Sequence, residues 1–154
     1  MGGIGRTSSY PSFCYAYKFE CMLIDKILLD ELTEKAKASP RLRVNYDQRD
    51  SVEDESQRML NAIEPGTVIP IHRHSITSED VAILRGKAEF ISYDDEGREV
   101  SRRLLIPGGE VPAVHVPIGQ YHTCRSLESG TVIFEFKNTK YDPKGTELLK
   151  SNLK

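Results

Sequence analysis

Three features that would point to common classes of function are missing from this sequence of 154 residues. Lys and Arg number 21 against 23 Asp and Glu, so the formal net charge is −2 and there is no excess of positive charge to attract nucleic acid or anionic lipid. No apolar run approaches the ~18 residues that span a bilayer, and the first residues lack the pattern of a secretory signal. We therefore expect a cytoplasmic protein that binds neither nucleic acid nor a membrane.

Cysteine is also scarce. The three cysteines, Cys14, Cys21 and Cys124, are odd in number and form no Cys-x-x-Cys pair, so neither a zinc knuckle nor a dithiol redox motif is present in the sequence. This usage fits a reducing compartment. A chain of this length buries about 68–70% of the surface that it exposes when unfolded, which is enough for a core without disulfides or a structural metal. Any bound metal is expected to be functional.

Residues 1–21 differ in composition from the remainder. A segment rich in Gly and Ser is followed by five of the twelve aromatic residues, and Phe13, Tyr15, Tyr17 and Phe19 alternate as in a strand with one aromatic face. Such a strand could pair with a sheet edge or with a partner chain. Alternatively, Met22 begins the protein and the extension reflects an upstream start site. We treat residues 22–154 as one domain and leave the role of the extension open.

An amphipathic helix is predicted over residues 25–39. Asp25 is a suitable N-cap, and Pro40 ends the segment. Inside it, apolar residues recur at helical spacing: Ile27, Leu28, Leu32 and Ala36. The polar stretch 41–56 carries few strand-forming residues and is predicted to be a loop.

From residue 57 onward, short β-branched and aromatic runs alternate with Pro, Gly and acidic turns at intervals of about 8–12 residues, which is typical of a sandwich or barrel. The predicted strands are 59–63, 67–71, 80–84, 88–93, 100–105, 113–116, 121–127 and 131–137. Their connections are too short for the helical crossovers of a parallel sheet. The fold class is therefore predicted to be all-β, with a barrel over about 57–138 and one N-terminal α-helix.

Three of the four histidines and one glutamate are spaced so that they can meet. His72 and His74 lie two residues apart, so on an extended segment both imidazoles point to the same side. Glu79 follows at the head of the next strand, and His122 comes after a turn formed by Pro and Gly. This donor set suits one divalent ion of Zn, Fe, Mn, Ni or Co and leaves two positions open on a six-coordinate metal.

Side chains near these four are assigned by strand alternation. Arg73 should point away from the metal. Cys124 should share the inward face with His122, either as a soft thiolate ligand or, as we favour, as a small buried hydrophobe. His115 is predicted to face outward. Glu135 and Lys137 share one face of the last predicted strand, where they either line a cavity or face water.

The spacing of these four residues resembles that of a known superfamily. The first cupin motif is resembled by the segment 66–86, in which Gly66, His72-x-His74, Glu79 and Gly86 are separated by five, four and six residues. The core of the second motif is resembled by Pro117-x-Gly119-x-x-His122. Two positions depart from the pattern. The glycine expected before the proline is displaced to Gly108 or Gly109, and Ser126 stands where the motif ends in Asn. Neither position is a predicted ligand.

Residues 23–143 further resemble the WbuC-type cupin fold metalloproteins, in the segments 39–43 and 57–67, in Glu135-x-Lys137 and in the segment 141–143. This resemblance implies a double-stranded β-helix, or jelly roll, with a metal in the barrel mouth held by His72, His74, Glu79 and His122. The WbuC-type family occurs among genes for bacterial surface polysaccharide, and its reaction is not established.

The first functional hypothesis is a metal-dependent enzyme that isomerises or epimerises a sugar-derived small molecule. The metal would polarise a carbonyl or chelate a diol, while Glu135, Lys137 or Tyr141 moves a proton. Arg58 and Asn61 are candidates for binding an anionic or hydroxylated substrate. Two alternatives stay open, an Fe-dependent dioxygenase and a ligand-binding cupin without turnover. Since jelly rolls leave sheet edges to cover, we expect a homodimer.

Overall fold

A computed structural model describes residues 21–150, so the predicted aromatic strand in the N-terminal extension lies outside the described residues. Within residues 21–150 there are one α-helix and ten strands. They are α1 Lys26–Ala38, β1 Arg43–Asp47, β2 Gln57–Ile63, β3 His72–His74, β4 Glu79–Arg85, β5 Ala88–Tyr93, β6 Glu99–Leu105, β7 Ala113–Val116, β8 Tyr121–Ser126, β9 Thr131–Lys137 and β10 Thr146–Leu148. The all-β class with one N-terminal helix is confirmed.

The helix forms where its end signals predict it. The Asp25 carboxylate accepts a hydrogen bond from the Leu28 amide at 3.0 Å and caps the first turn, and the Ser39 amide donates to the Ala36 carbonyl at the other end. The buried face of α1 packs on β2 and β9 in a cluster formed by Leu28, Leu29, Leu32, Ala36, Leu60, Ala62 and Val132. Among the described residues, no helix has the length and hydropathy that a membrane crossing requires.

The strands form two five-stranded sheets in which every pairing is antiparallel. Sheet I has the order β1-β2-β9-β4-β7, and sheet II has the order β10-β3-β8-β5-β6. A second core lies within the barrel and contains Ile63, Val81, Ile83, Ala88, Phe90, Leu105, Val116, Cys124 and Ile133. Two sheets around such a core give the predicted jelly roll.

Three predictions of secondary structure were wrong. The stretch 41–56 is not all loop, because β1 pairs with β2 and buries Val44 and Tyr46 against the helix cluster. The stretch 67–71 is not a strand, because β3 begins only at His72 and Pro70 has no N–H for a ladder. The strand β10 was missed. The sheets therefore extend beyond residues 57–138 at both ends.

Gly86 illustrates how tightly β4, β5 and β9 approach each other. Its φ is +80°, and a Cβ at this position would lie 2.6 Å from the Thr131 Cα on β9. Gly108 also has a positive φ, of +66°, but a Cβ there would meet nothing within 4 Å. The two glycines therefore share the backbone requirement and differ in steric space.

We expect Gly86→Ala to lower the free energy of unfolding by about 1–3 kcal/mol more than Gly108→Ala, because overpacking is added to the cost of a left-handed backbone. Urea unfolding of both variants measures the difference. Equal midpoints for the two variants would contradict the close approach at Gly86.

Candidate metal centre

Two sheets bring the predicted ligands together. His72 and His74 point to the same side of β3, and His72 lies directly opposite His122 on the neighbouring β8 of sheet II. Glu79 is the first residue of β4 in sheet I. One ligand atom from each of these four side chains lies within 4.8 Å of the others. Arg73, between the two histidines, pairs with Glu147 at 2.6 Å, as its predicted outward direction requires.

Each histidine is oriented through its Nδ1 atom. The Nδ1 atoms of His72 and His122 lie 2.9 Å from the carbonyl oxygens of Pro70 and Gln120, which accept only, so both rings donate from Nδ1. His74 Nδ1 lies 3.4 Å from the Thr146 hydroxyl. The Nε2 atoms of His72 and His122 are thereby left as acceptors at the centre, which is how metal-binding histidines are usually held.

The two oxygen atoms of the Glu79 carboxylate have different partners. Its Oε1 atom pairs with Lys137 Nζ at 3.0 Å, and its Oε2 atom lies 3.0 Å from His122 Nε2 and 3.6 Å from His74 Nε2. Burial favours the neutral carboxyl, but the adjacent His122 and His74 rings and the charge of Lys137 outweigh it, so the pKa of Glu79 lies well below its usual range. One anionic oxygen therefore faces the histidines at neutral pH.

Two observations show that these residues fit a metal ion. His74 Nε2 is buried and has no hydrogen-bond partner. His122 Nε2 and Glu79 Oε2 are both acceptors 3.0 Å apart, a contact that calls for a proton or a cation. Donors on one ion at about 2.1 Å lie at most about 4.2 Å apart, so only a small contraction of the cluster is needed.

The protonation of His72 also suits a ligand. Burial lowers the pKa of His72 to about 4, and the neighbouring His122 and His74 rings contribute to the same direction. The ring is therefore neutral at physiological pH. A neutral imidazole is the form that coordinates metals.

The cluster opens into a cavity of about 480 Å³, a size typical of small-molecule sites. It is lined by Arg41, Arg43, Asn45, Gln57, Met59, Asn61, Ile63, Ile69, Pro70, His72, His74, Ile133, Glu135, Lys137, Tyr141, Thr146 and Leu148. Of the two alternatives for Glu135 and Lys137, the cavity is the one observed. Asn61 also lines it, whereas Tyr141 is 64% exposed and stands at its rim.

Arg58 is placed elsewhere. The residues of β2 that line the cavity are Gln57, Met59, Asn61 and Ile63, and Arg58 belongs to the opposite face of the strand. There its guanidinium pairs with Asp54 at 2.5 Å and Asp50 at 3.3 Å. The structure thus gives Arg58 no contact with the cavity.

Glu135 has an unusual environment for a carboxyl group. Burial and the negative charge of Glu79 raise its pKa to about 7, against the opposing effects of Lys137 and of a hydrogen bond with Asn61. Both protonation states are therefore accessible near neutral pH. This is the property that a group needs in order to accept and return a proton.

Sequence analysis missed several residues of the cavity wall. Arg43 and Asn45 belong to β1, which was predicted as loop, and Arg41 lies two residues before the start of this strand. The alternation of these polar residues with Val44 and Tyr46 is the sequence pattern that indicates a strand here. Gln57 was missed as well, although it is 5% exposed and lines the cavity.

Two residues behave as the sequence predicts outside the cluster. His115 is exposed and its Nδ1 atom lies 2.8 Å from Asp80 Oδ1, outside the cluster of three histidines and one glutamate. Cys124 is buried in the barrel core, and burial raises the pKa of its thiol to about 12. The thiol is therefore protonated at neutral pH and packs as a small apolar side chain.

Solved structures with a similar fold are cupins. The capsular polysaccharide assembling protein CapF from Staphylococcus aureus superposes with a TM-score of 0.55 at 22% identity, over 62% of this chain and 27% of that chain. Oxalate decarboxylase from Bacillus subtilis gives a TM-score of 0.52 at 20% identity, over 70% of this chain and 27% of that chain. A putative sugar phosphate isomerase from Acidithiobacillus ferrooxidans gives 0.51 at 25% identity, over 65% of this chain and 60% of that chain.

The chain therefore spans about a quarter of the first two proteins and three fifths of the third. These similarities show the cupin fold, and no curated protein matches the sequence. The sequence pattern of a family described as a domain of unknown function, DUF6016, matches residues 24–105, which is more than half of the chain. The chain thus belongs to the DUF6016 family.

Proposed function

We propose that this chain is a metal-dependent enzyme of the WbuC type that isomerises or epimerises a sugar-derived small molecule. The observation that carries the proposal is the convergence of three imidazoles and one carboxylate at a cavity that Glu135 also lines, together with His72 and His74. A metal centre alone would serve for binding. A nearby carboxyl group with a pKa of about 7 adds the means to move a proton.

The proposed ligands are the Nε2 atoms of His72, His74 and His122 and the Oε2 atom of Glu79. A divalent ion held there supplies Lewis-acid chemistry, which polarises a carbonyl or chelates neighbouring hydroxyls. The donor set suits Zn, Fe, Mn, Ni or Co. Lys137 holds the other oxygen of Glu79 at 3.0 Å and so directs Oε2 toward the histidines.

We assign the proton transfer to Glu135. Isomerisation next to a carbonyl requires a base that removes a proton and an acid that returns it, and one carboxyl group near its pKa performs both. Lys137 is 8% exposed and is engaged by Glu79, so it acts as a positioning residue. Tyr141, exposed at the rim, contacts the substrate only at the cavity entrance in this scheme.

The names of two similar structures support a sugar-derived substrate. One is a capsular polysaccharide assembling protein and the other is a putative sugar phosphate isomerase. Together with the resemblance to WbuC-type proteins, they favour a role in surface polysaccharide metabolism. We also propose that residues 22–154 form one cytoplasmic domain and that it forms a homodimer. Among the described residues, β1, β7, β10 and β6 are the outer strands that a partner could cover.

The metal assignment predicts that His74→Ala abolishes stoichiometric metal binding, because it removes a buried donor. His115→Ala, which removes an exposed histidine outside the cluster, is the matched control and should bind metal as the unaltered protein does. Elemental analysis gives the metal content, and circular dichroism checks that both variants fold. Full metal occupancy in His74→Ala would overturn the ligand set.

The stability of the metal-free protein tests the environment of Glu135. Its pKa is raised from 4.5 to about 7 on folding, so the unfolded chain releases this proton at a lower pH than the folded protein does. Stability from this group is therefore lost as pH rises from about 4.5 to about 7. We expect Glu135→Gln, measured in chelator, to raise the melting temperature by a few degrees more at pH 8 than at pH 4. A pH-independent difference would contradict the assignment.

Turnover tests the reaction itself. With metal-loaded protein and a panel of sugar phosphates and nucleotide sugars, we expect isomerised or epimerised products detectable by NMR. Glu135→Gln should lose about a hundredfold or more in turnover while its metal content is unchanged. Oxygen uptake with bound iron would instead identify a dioxygenase. Ligand binding without any product would identify a binding protein.

A further inference from the structure

Two arginines on the cavity wall have no acidic partner. In residues 21–150, six arginines form ion pairs with carboxylates: Arg49, Arg58, Arg73, Arg85, Arg98 and Arg102. Arg41 and Arg43 both line the cavity and form no ion pair with an acidic residue of this part of the chain. Two cationic side chains therefore face one space without a carboxylate bound to either.

The backbone between the arginines is fixed in an uncommon conformation. Leu42 has a φ of +54°, which costs a residue with a side chain about 1–2 kcal/mol. Its amide donates to the Ser39 carbonyl at 2.9 Å, and its own carbonyl accepts from the Glu64 amide at 2.9 Å and the Thr67 hydroxyl at 2.5 Å. These hydrogen bonds hold Leu42 in its strained conformation and thereby fix the directions of the Arg41 and Arg43 side chains.

Arg43 is also tied to the approach to the metal centre. Its Nη1 atom donates to the Val68 carbonyl at 3.3 Å, in the segment that leads to His72. Burial and the charge of Arg41 lower the pKa of Arg43, while the charge of Glu135 opposes this effect. The two guanidinium groups and Glu135 therefore influence each other electrostatically. A negatively charged ligand would offset the repulsion between the two guanidinium groups.

Besides Glu135 and Lys137, the wall carries neutral polar groups, and one of them has no hydrogen-bond partner. Gln57 Oε1 is buried and has no hydrogen bond, which leaves it free to accept from a ligand hydroxyl. Asn45 and Asn61 lie opposite each other in the β1–β2 register and line the same cavity. A molecule with several hydroxyl groups and one negative group matches this wall.

We infer that the substrate of this cavity carries an anionic oxygen group, either a phosphate ester or a carboxylate, and that Arg41 and Arg43 bind it. This inference rests on the proposed function and specifies its substrate class as an anionic sugar derivative. A planar guanidinium donates two parallel hydrogen bonds to either group, so both sources share one recognition chemistry.

Binding of glucose 6-phosphate, glucuronate and glucose to the metal-loaded protein tests the inference by calorimetry. We expect at least one of the two anionic sugars to bind more tightly than glucose and to weaken as salt is added. Arg41→Gln and Arg43→Gln should each reduce that affinity about tenfold or more. Arg43→Lys should restore part of it, since Lys keeps the charge without the planar pair of donors.

Arg103→Gln is the matched control. Arg103 is an exposed arginine on β6 of sheet II, outside the cavity and without an ion pair in residues 21–150, and its loss should leave binding unchanged. Tighter binding of glucose 6-phosphate identifies a phosphate ester, and tighter binding of glucuronate identifies a carboxylate. Failure of both anions to exceed glucose, or full affinity in the Arg41 and Arg43 variants, overturns the inference.

Inorganic phosphate and the chelator-treated protein separate this inference from the proposed function. Phosphate binding that is lost in Arg43→Gln but present without metal supports the arginine site even if the metal assignment fails. Normal metal content and turnover with unaltered phosphate binding in Arg43→Gln would contradict the arginine site alone.

Discussion

The buried carboxylate of Glu79 is the interaction on which the site depends. It stands on sheet I, its Oε2 atom faces two histidines of sheet II, and its Oε1 atom is held by Lys137 from the neighbouring strand. A buried anion is tolerated only when its charge and its lone pairs are compensated on all sides. The position of Glu79 relative to the histidines therefore depends on the distance between the two sheets.

The barrel below the cluster supplies the rigidity that the donors require. Phe90 stacks on the His122 ring with the centroids 5.4 Å apart, and Cys124 continues the same inward face of β8 into the core. These contacts are apolar, so they fix the ring without competing for its Nε2 atom. The four proposed ligands thus lie above the apolar core that stabilises the barrel. A core of this size forms without a metal.

The sequence predicts the clustering of His72, His74, Glu79 and His122 because their spacing is largely local. His72 and His74 need only an extended backbone to share a face, and Glu79 needs only to begin the next strand. Arg58 fails for the same physical reason, since a shift of one residue in a strand moves a side chain to the other face. Arg58 is a candidate because it is charged and close to the motif in sequence, and neither property tells on which face of β2 its side chain lies.

Strand β1 and the stretch 67–71 fail for a different reason. The composition of β1 is polar because one of its faces lines a cavity, so Arg43 and Asn45 conceal the period of two that Val44 and Tyr46 reveal. The stretch 67–71 has strand-forming residues, but Pro70 supplies no N–H for a ladder, and regular pairing with β8 and β10 begins only at His72. Pairing is a property of the tertiary fold, and β-propensity records only how well a side chain fits such a surface.

The charges of the cavity connect the metal centre with the arginines. Lys137 offsets the charge of Glu79, which leaves Arg41, Arg43 and any divalent ion to be balanced by Glu135. Even when fully ionised, this single carboxylate cannot balance two guanidinium groups and a divalent ion alone. A neutral occupant would leave the excess of positive charge in a partly desolvated space, where such an excess is costly. An anionic occupant would remove that cost, and a metal ion held by the four ligands would supply Lewis-acid chemistry at a carbonyl of the same molecule. In the proposed scheme the arginines bind the ligand and the metal ion activates it.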